Sequence, residues 1–175
     1  MEIRPARVND APALSRVHVD SWRAAYGGLV PDSSLQAFTY EWREESFRCS
    51  LAASAEETYL VQVEGEVVGF LTLGAARDPD LDVGRTGEIW GIYISPGYWR
   101  KGIGKRLAEE AERILKSGGY EDAVLWVLED NQQARRFYEA MGFGLDGESK
   151  NIDWGTPLKA VRYRKALQPI GETNP

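Results

Sequence analysis

The hydrophobic and polar positions of this chain change period several times, and each change marks an element. After Asn9 and Asp10, residue types that cap helices, Leu14, Val17, Trp22 and Ala25 fall on one helical face until Gly27-Gly28, which predicts a helix over 11–25. Ser33 and Gln36 have capping-box spacing, and Leu35, Phe38, Trp42 and Cys49 extend a second stripe, which predicts one continuous helix ending near Leu51. From Thr58 the pattern shortens to two apolar runs, Tyr59 to Val63 and Val67 to Leu73, around the turn Glu64-Gly65-Glu66, the signature of a β-hairpin. A polar loop from Arg77 to Gly87 leads into a strong strand from Glu88 to Ser95, closed by Pro96-Gly97.

Helical spacing returns through Ile103, Leu107, Ala111, Ile114 and Leu115, so a helix is expected from Gly102 to Ser117, with Gly118-Gly119 as its stop. Ala123 to Leu128 reads as a buried strand, Asp130 and Asn131 as the cap of a helix running through Met141, and Leu158 to Lys165 as a final half-exposed strand. The order is mixed α/β, with a strand, helix, strand crossover in the middle that requires locally parallel strands. One domain over residues 1–167 accounts for the pattern, and 168–175 is expected to be a frayed C-terminal tail.

Composition narrows the classes of function. With 21 Lys plus Arg against 27 Asp plus Glu the net charge is −6, which disfavours nonspecific binding to nucleic acid or to an anionic membrane. No apolar run approaches the roughly 18 residues that span a bilayer, and the N-terminus lacks the apolar core of a signal peptide, so a cytoplasmic protein is expected. Cys49 is alone and cannot form an internal disulfide; with His18 the only histidine, a zinc cage of the common Cys and His types is excluded and no metal is expected. Cys49 reads as a small core residue and His18 as structural.

The densest chemistry lies at the turn Trp99-Arg100-Lys101-Gly102-Ile103-Gly104-Lys105, which joins the strongest strand to a helix N-terminus. Unpaired amides, the positive end of the helix dipole and nearby cations make such a turn an anion site. A P-loop is excluded because Ile103 follows Gly102 where lysine is required, and the dinucleotide fingerprint fails because Leu107 occupies its third glycine position. Gly142 to Gly147 does spell G-x-G-x-x-G, but after a helix rather than a strand.

Asn131-Gln132-Gln133-Ala134-Arg135-Arg136-Phe137-Tyr138-Glu139-Ala140-Met141-Gly142-Phe143, taken with Arg100-Lys101-Gly102-Ile103-Gly104, resembles the GNAT superfamily of acyl-CoA-dependent N-acetyltransferases. The Asn-x-x-Ala-x-x-Phe-Tyr-x-x-x-Gly-Phe pattern is matched in full, and the resemblance covers residues 58 to 145. Trp99 departs from the turn pattern, which usually begins with Gln or Arg. The resemblance implies an α/β fold with a mixed, mostly antiparallel sheet that splays open at the glycine-rich helix, with acetyl-CoA in the splay as co-substrate.

Residue by residue, the resemblance assigns pyrophosphate binding to Arg100, Lys101, Gly102, Ile103, Gly104 and Lys105, and a hydrogen bond to cofactor or substrate to Asn131. Pairing with pantetheine and polarisation of the thioester fall to the backbone of Ile92, Tyr93 and Ile94. Tyr138 takes the role of general acid, although spacing alone favours a core tyrosine beside Phe137. Attack on a thioester needs a neutral amine, and deprotonating a lysine-type amine near pH 7 costs about 4.6 kcal/mol. Glu88 is the candidate base, acting through water, against the plain reading of a strand-edge carboxylate.

The acceptor, a small-molecule or peptide amine, is expected between the first two helices and the opposite loops, with Trp22, Tyr26 and Trp90 as candidate lining and Tyr40 and Trp42 behind them. In a chain of net charge −6, cations gather at Arg100, Lys101, Lys105 and Arg106, which leaves Glu88 and the run Asp78, Asp80 and Asp82 to favour a cationic amine. Homodimers are common among proteins of this type. The alternative from another class is a noncatalytic acyl-CoA-binding sensor or interaction module on the same fold.

Overall fold

The computed structural model describes residues 1–54 and 56–167. The expected tail at 168–175 lies outside the described residues. In chain order the elements are β1 (Glu2–Pro5), α1 (Ala11–Tyr26), α2 (Asp32–Ala37), α3 (Tyr40–Ala53), β2 (Glu57–Val63), β3 (Glu66–Ala75), β4 (Thr86–Ile94), α4 (Ile103–Ser117), β5 (Asp122–Leu128), α5 (Gln132–Ala140), β6 (Gly144–Asp153) and β7 (Pro157–Ala166). The strands form one sheet in the order β1-β2-β3-β4-β5-β7-β6, antiparallel throughout except where β4 meets β5.

One core lies between the sheet and α4, where Ile103, Leu107, Ala111 and Leu115 present a single buried stripe to Leu71, Leu73 and Ile89. Burial of each large aliphatic side chain is worth about 1.5–3 kcal/mol, and that stripe is why the helix is legible from its 3.6-residue period. The other core joins α1 and α3 to the opposite face through Leu14, Val17, Phe47, Leu60 and Phe70. Among the described residues, no helix is long and apolar enough to cross a membrane.

Three local expectations are corrected. The second stripe is two helices rather than one: Phe38 leaves helical geometry to stack on Trp22 at 4.7 Å between ring centroids, and Thr39 Oγ1 then caps α3 by accepting from the Trp42 backbone N–H at 3.3 Å. Trp42 and Cys49 are exposed on α3, whose one buried residue is Phe47. Asp10 does not cap α1 with its side chain; its carboxylate accepts from both Arg4 Nη atoms and from the Arg7 N–H, each at 2.8 Å. β1, absent from the sequence reading, is a short edge strand without apolar alternation, and β2 sets its register.

The feature that makes a site is the parting of β4 and β5. They pair only at Thr86 with Asp122, Gly87 with Ala123 and Glu88 with Val124, after which β4 continues to Ile94 with no strand beside it on that edge. A β-bulge adds to the divergence: Leu73 faces Ile89 and Thr72 faces Gly91, leaving Trp90 as the extra residue. Gly91 is required here, because a Cβ would run into the Tyr93 ring.

Candidate active site

The parted strands enclose a cavity of about 530 Å³. One wall is β4, from Trp90 to Ile94, whose unpaired backbone edge offers N–H and C=O groups to an extended ligand. At the far end of β4 lies the N-terminus of α4. Gly102, in left-handed geometry at φ 80°, serves as its cap with no side-chain acceptor, so the first amides of the helix are left for another partner. A Cβ on Gly104 would press within 3.2 Å of Ile94 Cδ1 and 3.3 Å of Phe137, so glycine lets α4 seat closely between β4 and α5. Arg100, Lys105 and Arg136 place three cations around this end.

The opposite wall comes from α5. Asn131 Oδ1 accepts from the Ala134 N–H at 3.1 Å and starts the helix, while Tyr163 Oη, taking Arg135 Nε at 3.0 Å and giving to Glu139 Oε1 at 2.7 Å, fixes α5 against β7. Between these anchors Tyr138 lines the cavity, its ring against Phe137 and Phe143. Burial pushes its phenol well above the ordinary value, with Tyr93 adding to the shift, so Tyr138 carries its proton across the physiological range. Tyr26 of α1 also lines the cavity; burial raises its phenol too, the Asn131 side chain offsetting part of the shift.

Most of the residues singled out from sequence therefore converge: Ile92, Tyr93, Ile94, Arg100, Gly102, Gly104, Lys105, Asn131, Tyr138, Tyr26 and Trp90 all line the one cavity. Four do not. Glu88 is buried at 2% exposure in the last paired rung of β4 and β5, where its carboxylate accepts from Arg77 through N–H at 3.0 Å, Nε at 3.1 Å and Nη2 at 2.5 Å. Trp22 packs behind the cavity against Phe38, Tyr26 and Trp154. The Ile103 side chain is in the core and Lys101 lies over the Tyr98 ring at 4.7 Å. Tyr40 and Trp42 are also outside the lining; the Tyr40 hydroxyl donates to Asp20 at 2.5 Å.

The acidic run is likewise committed elsewhere. Arg162, buried on β7, gives Nη1 to Asp78 and Asp80 at 3.0 Å, Nη2 to Asp80 at 2.7 Å and Nε to Asp146 at 2.7 Å, fastening the β3–β4 loop to the sheet. Of the acids expected to favour a cationic amine, Glu88, Asp78 and Asp80 are held by arginines and Asp82 accepts from the Gly84 N–H at 2.9 Å, and none of the four lines the cavity.

Sequence reasoning missed Trp126, Arg136, Gln133 and Ser21, all of which line the cavity, and treated Trp99 as merely tolerated. Trp99 lines the cavity and its Nε1 donates to the Ile94 carbonyl at 2.7 Å, holding the turn onto the end of β4. Arg136 had a signal, standing inside the Asn131 to Tyr138 pattern; Trp126 had a weaker one, alternating with Leu125 and Val127, which face the α4 core.

Comparison with known proteins agrees with this geometry. The family model described as the acetyltransferase (GNAT) family matches residues 20–143. An uncharacterized N-acetyltransferase of Bacillus subtilis is 30% identical over 139 residues, covering 79% of this chain and 77% of the relative. A spermidine N(1)-acetyltransferase of Thermoplasma acidophilum is 25% identical over 151 residues, covering 83% of this chain and 89% of that one. Among solved structures, the PaiA N-acetyltransferase of Thermoplasma acidophilum in complex with coenzyme A has the same fold, with a TM-score of 0.75 at 24% identity, covering 94% of this chain and 98% of that one.

Proposed function

The chain belongs to the GNAT acetyltransferase family, and from that premise we propose that it moves an acetyl group from acetyl-CoA to a primary amine by direct attack in a ternary complex. The observation that carries the proposal is one cavity in which an unpaired strand edge, a cation-ringed helix N-terminus and a proton-bearing tyrosine face each other.

The residues present fit acetyl-CoA. The amides at the start of α4, with Arg100, Lys105 and Arg136, suit the pyrophosphate, and Gly102 and Gly104 let the backbone approach it. The free edge of β4 at Ile92 and Ile94 suits the amide groups of pantetheine, and Trp99 orients the Ile94 carbonyl at the end of that edge. When bound, acetyl-CoA supplies an activated thioester, from which the amine takes the acetyl group as the N–C bond forms and the C–S bond breaks.

Tyr138, protonated and lining the cavity, gives its proton to the departing sulfur and regains one, through water, from the nitrogen as the amide forms. The amine loses its proton to water, helped by a cavity whose aromatic walls disfavour the charged form. Glu88 contributes as a positioning residue: it holds Arg77, whose guanidinium lies 4.3 Å from the centroid of the Trp90 ring at the cavity wall.

The test is release of CoA thiol, with acetylated product identified by mass spectrometry, across a panel of amines that includes spermidine, the acceptor named for the Thermoplasma relative. Turnover with any amine, slowed by Tyr138→Phe, supports the proposal. Calorimetric binding of acetyl-CoA with no amine acetylated would replace it with the noncatalytic acyl-CoA sensor.

A further inference from the structure

Given that reading of the cavity as an acetyltransferase site, we infer that the acceptor is a monoamine with a flat apolar body, and not a polyamine. Trp90 and Trp126 each stand two residues beyond the last paired rung, Glu88 with Val124, so they flank the apex of the splay from either strand. With Tyr26 and Tyr138 they give this end of the cavity aromatic walls, to which Ser21 and Asn131 add neutral polar groups. Such walls suit a ring or a planar hydrocarbon.

Charge argues in the same direction. Among the described residues, every charged side chain lining the cavity is a cation, and none is Asp or Glu. The nearby acids lie outside that lining and are engaged by the protein itself: Glu88 pairs with Arg77, and Asp78, Asp80 and Asp146 share Arg162, while Asp78 also accepts from Trp126 Nε1 at 2.8 Å. The two indoles that could otherwise receive an ammonium each have one face covered by the protein's own cation, Trp90 by Arg77 at 4.3 Å and Trp126 by Lys150 at 3.9 Å. Lys150 stands outside the lining, exposed and with no ion-pair partner among the described residues, so its place on Trp126 adds a cation near the cavity and no counter-charge for a second ammonium. A monoamine is not penalised in this way, because its one positive charge must be lost before attack. The distal ammonium of a polyamine keeps its charge and finds no carboxylate in the cavity lining.

The experiment compares 2-phenylethylamine with spermidine on the full chain at saturating acetyl-CoA, by kcat/KM and by calorimetric titration of each amine into the CoA-loaded protein. Expected are a kcat/KM for 2-phenylethylamine at least about tenfold higher, tighter binding of that amine, and a several-fold relative gain for spermidine in Lys150→Glu. Trp126→Phe should weaken 2-phenylethylamine while leaving acetyl-CoA affinity unchanged. Equal or better use of spermidine, or tighter binding of it where no turnover occurs, overturns the inference, as does failure of 2-phenylethylamine to bind. Acetyl-CoA titrated alone separates the two levels: if it does not bind, the acetyltransferase reading falls first.

Discussion

Glu88 and Arg77 form a closed pair at the apex of the splay: both oxygens of a carboxylate that is 2% exposed are occupied by one arginine, through its backbone N–H, Nε and Nη2. We propose that a carboxylate held this way organises the wall of the cavity rather than confronting a substrate. Glu88→Gln keeps the shape and removes the charge. Because Arg77 is more than half exposed and regains water when its partner is lost, the expected loss of stability is about 1–3 kcal/mol, measured by urea unfolding. The acidic limb of the pH–rate profile should persist in the variant. If that limb disappears and kcat collapses, Glu88 is the base after all.

Tyr138→Phe separates chemistry from packing, since the ring contacts with Phe137 and Phe143 survive the change. The leaving thiolate has a pKa close to that of free cysteine, about 8.5, so an acid helps without being obligatory. A fall in kcat of roughly 10- to 100-fold is expected, with acetyl-CoA affinity and melting temperature unchanged.

Trp99 offers a third test. Its indole N–H is spent on the Ile94 carbonyl at 2.7 Å, at the end of the strand edge assigned to pantetheine. Trp99→Phe retains an aromatic wall but leaves that carbonyl without its donor, which should cost about 1 kcal/mol of stability and weaken acetyl-CoA in calorimetry more than it raises the KM of the amine. Trp99→Gln, the residue type of the family pattern, should recover more of the affinity than Phe does.

His18 gives a prediction on pH. It is buried against Phe38, Phe47, Phe70 and Tyr93, its Nδ1 has no partner among the described residues, and burial, followed by the charge of Arg43, holds its pKa well below the usual value. Unfolded His18 gains a proton as pH falls through about 6.5, whereas the folded side chain resists it until lower pH. The unfolded state thus binds more protons in that window, so stability that is full above about pH 6.5 is lost as pH falls towards the folded value. Replacement by Phe should flatten that slope by up to about 1.4 kcal/mol per pH unit, read from unfolding curves between pH 7 and 5.

What the sequence determined by itself was whatever local spacing encodes. The stripe from Ile103 to Leu115 predicted α4 and the Glu64-Gly65-Glu66 turn joined β2 to β3, because in each case the partners lie within a few turns or one hairpin, whereas Tyr138 was singled out by the family resemblance that the Asn131 to Phe143 pattern carries. The tertiary structure decided how charges and aromatics are shared between distant segments. Arg162 reaches Asp78 across 84 positions, and Trp126 meets that same carboxylate across 48. No periodicity records such pairings, since a carboxylate in a loop looks the same whether it faces water, a substrate or a buried arginine. The break at Phe38, the exposure of Cys49 and the edge strand β1 likewise depended on what packed beside them. The preference inferred for a flat monoamine rests on those long-range pairings, which engage Glu88, Asp78 and Asp80 outside a cavity whose lining holds no acid.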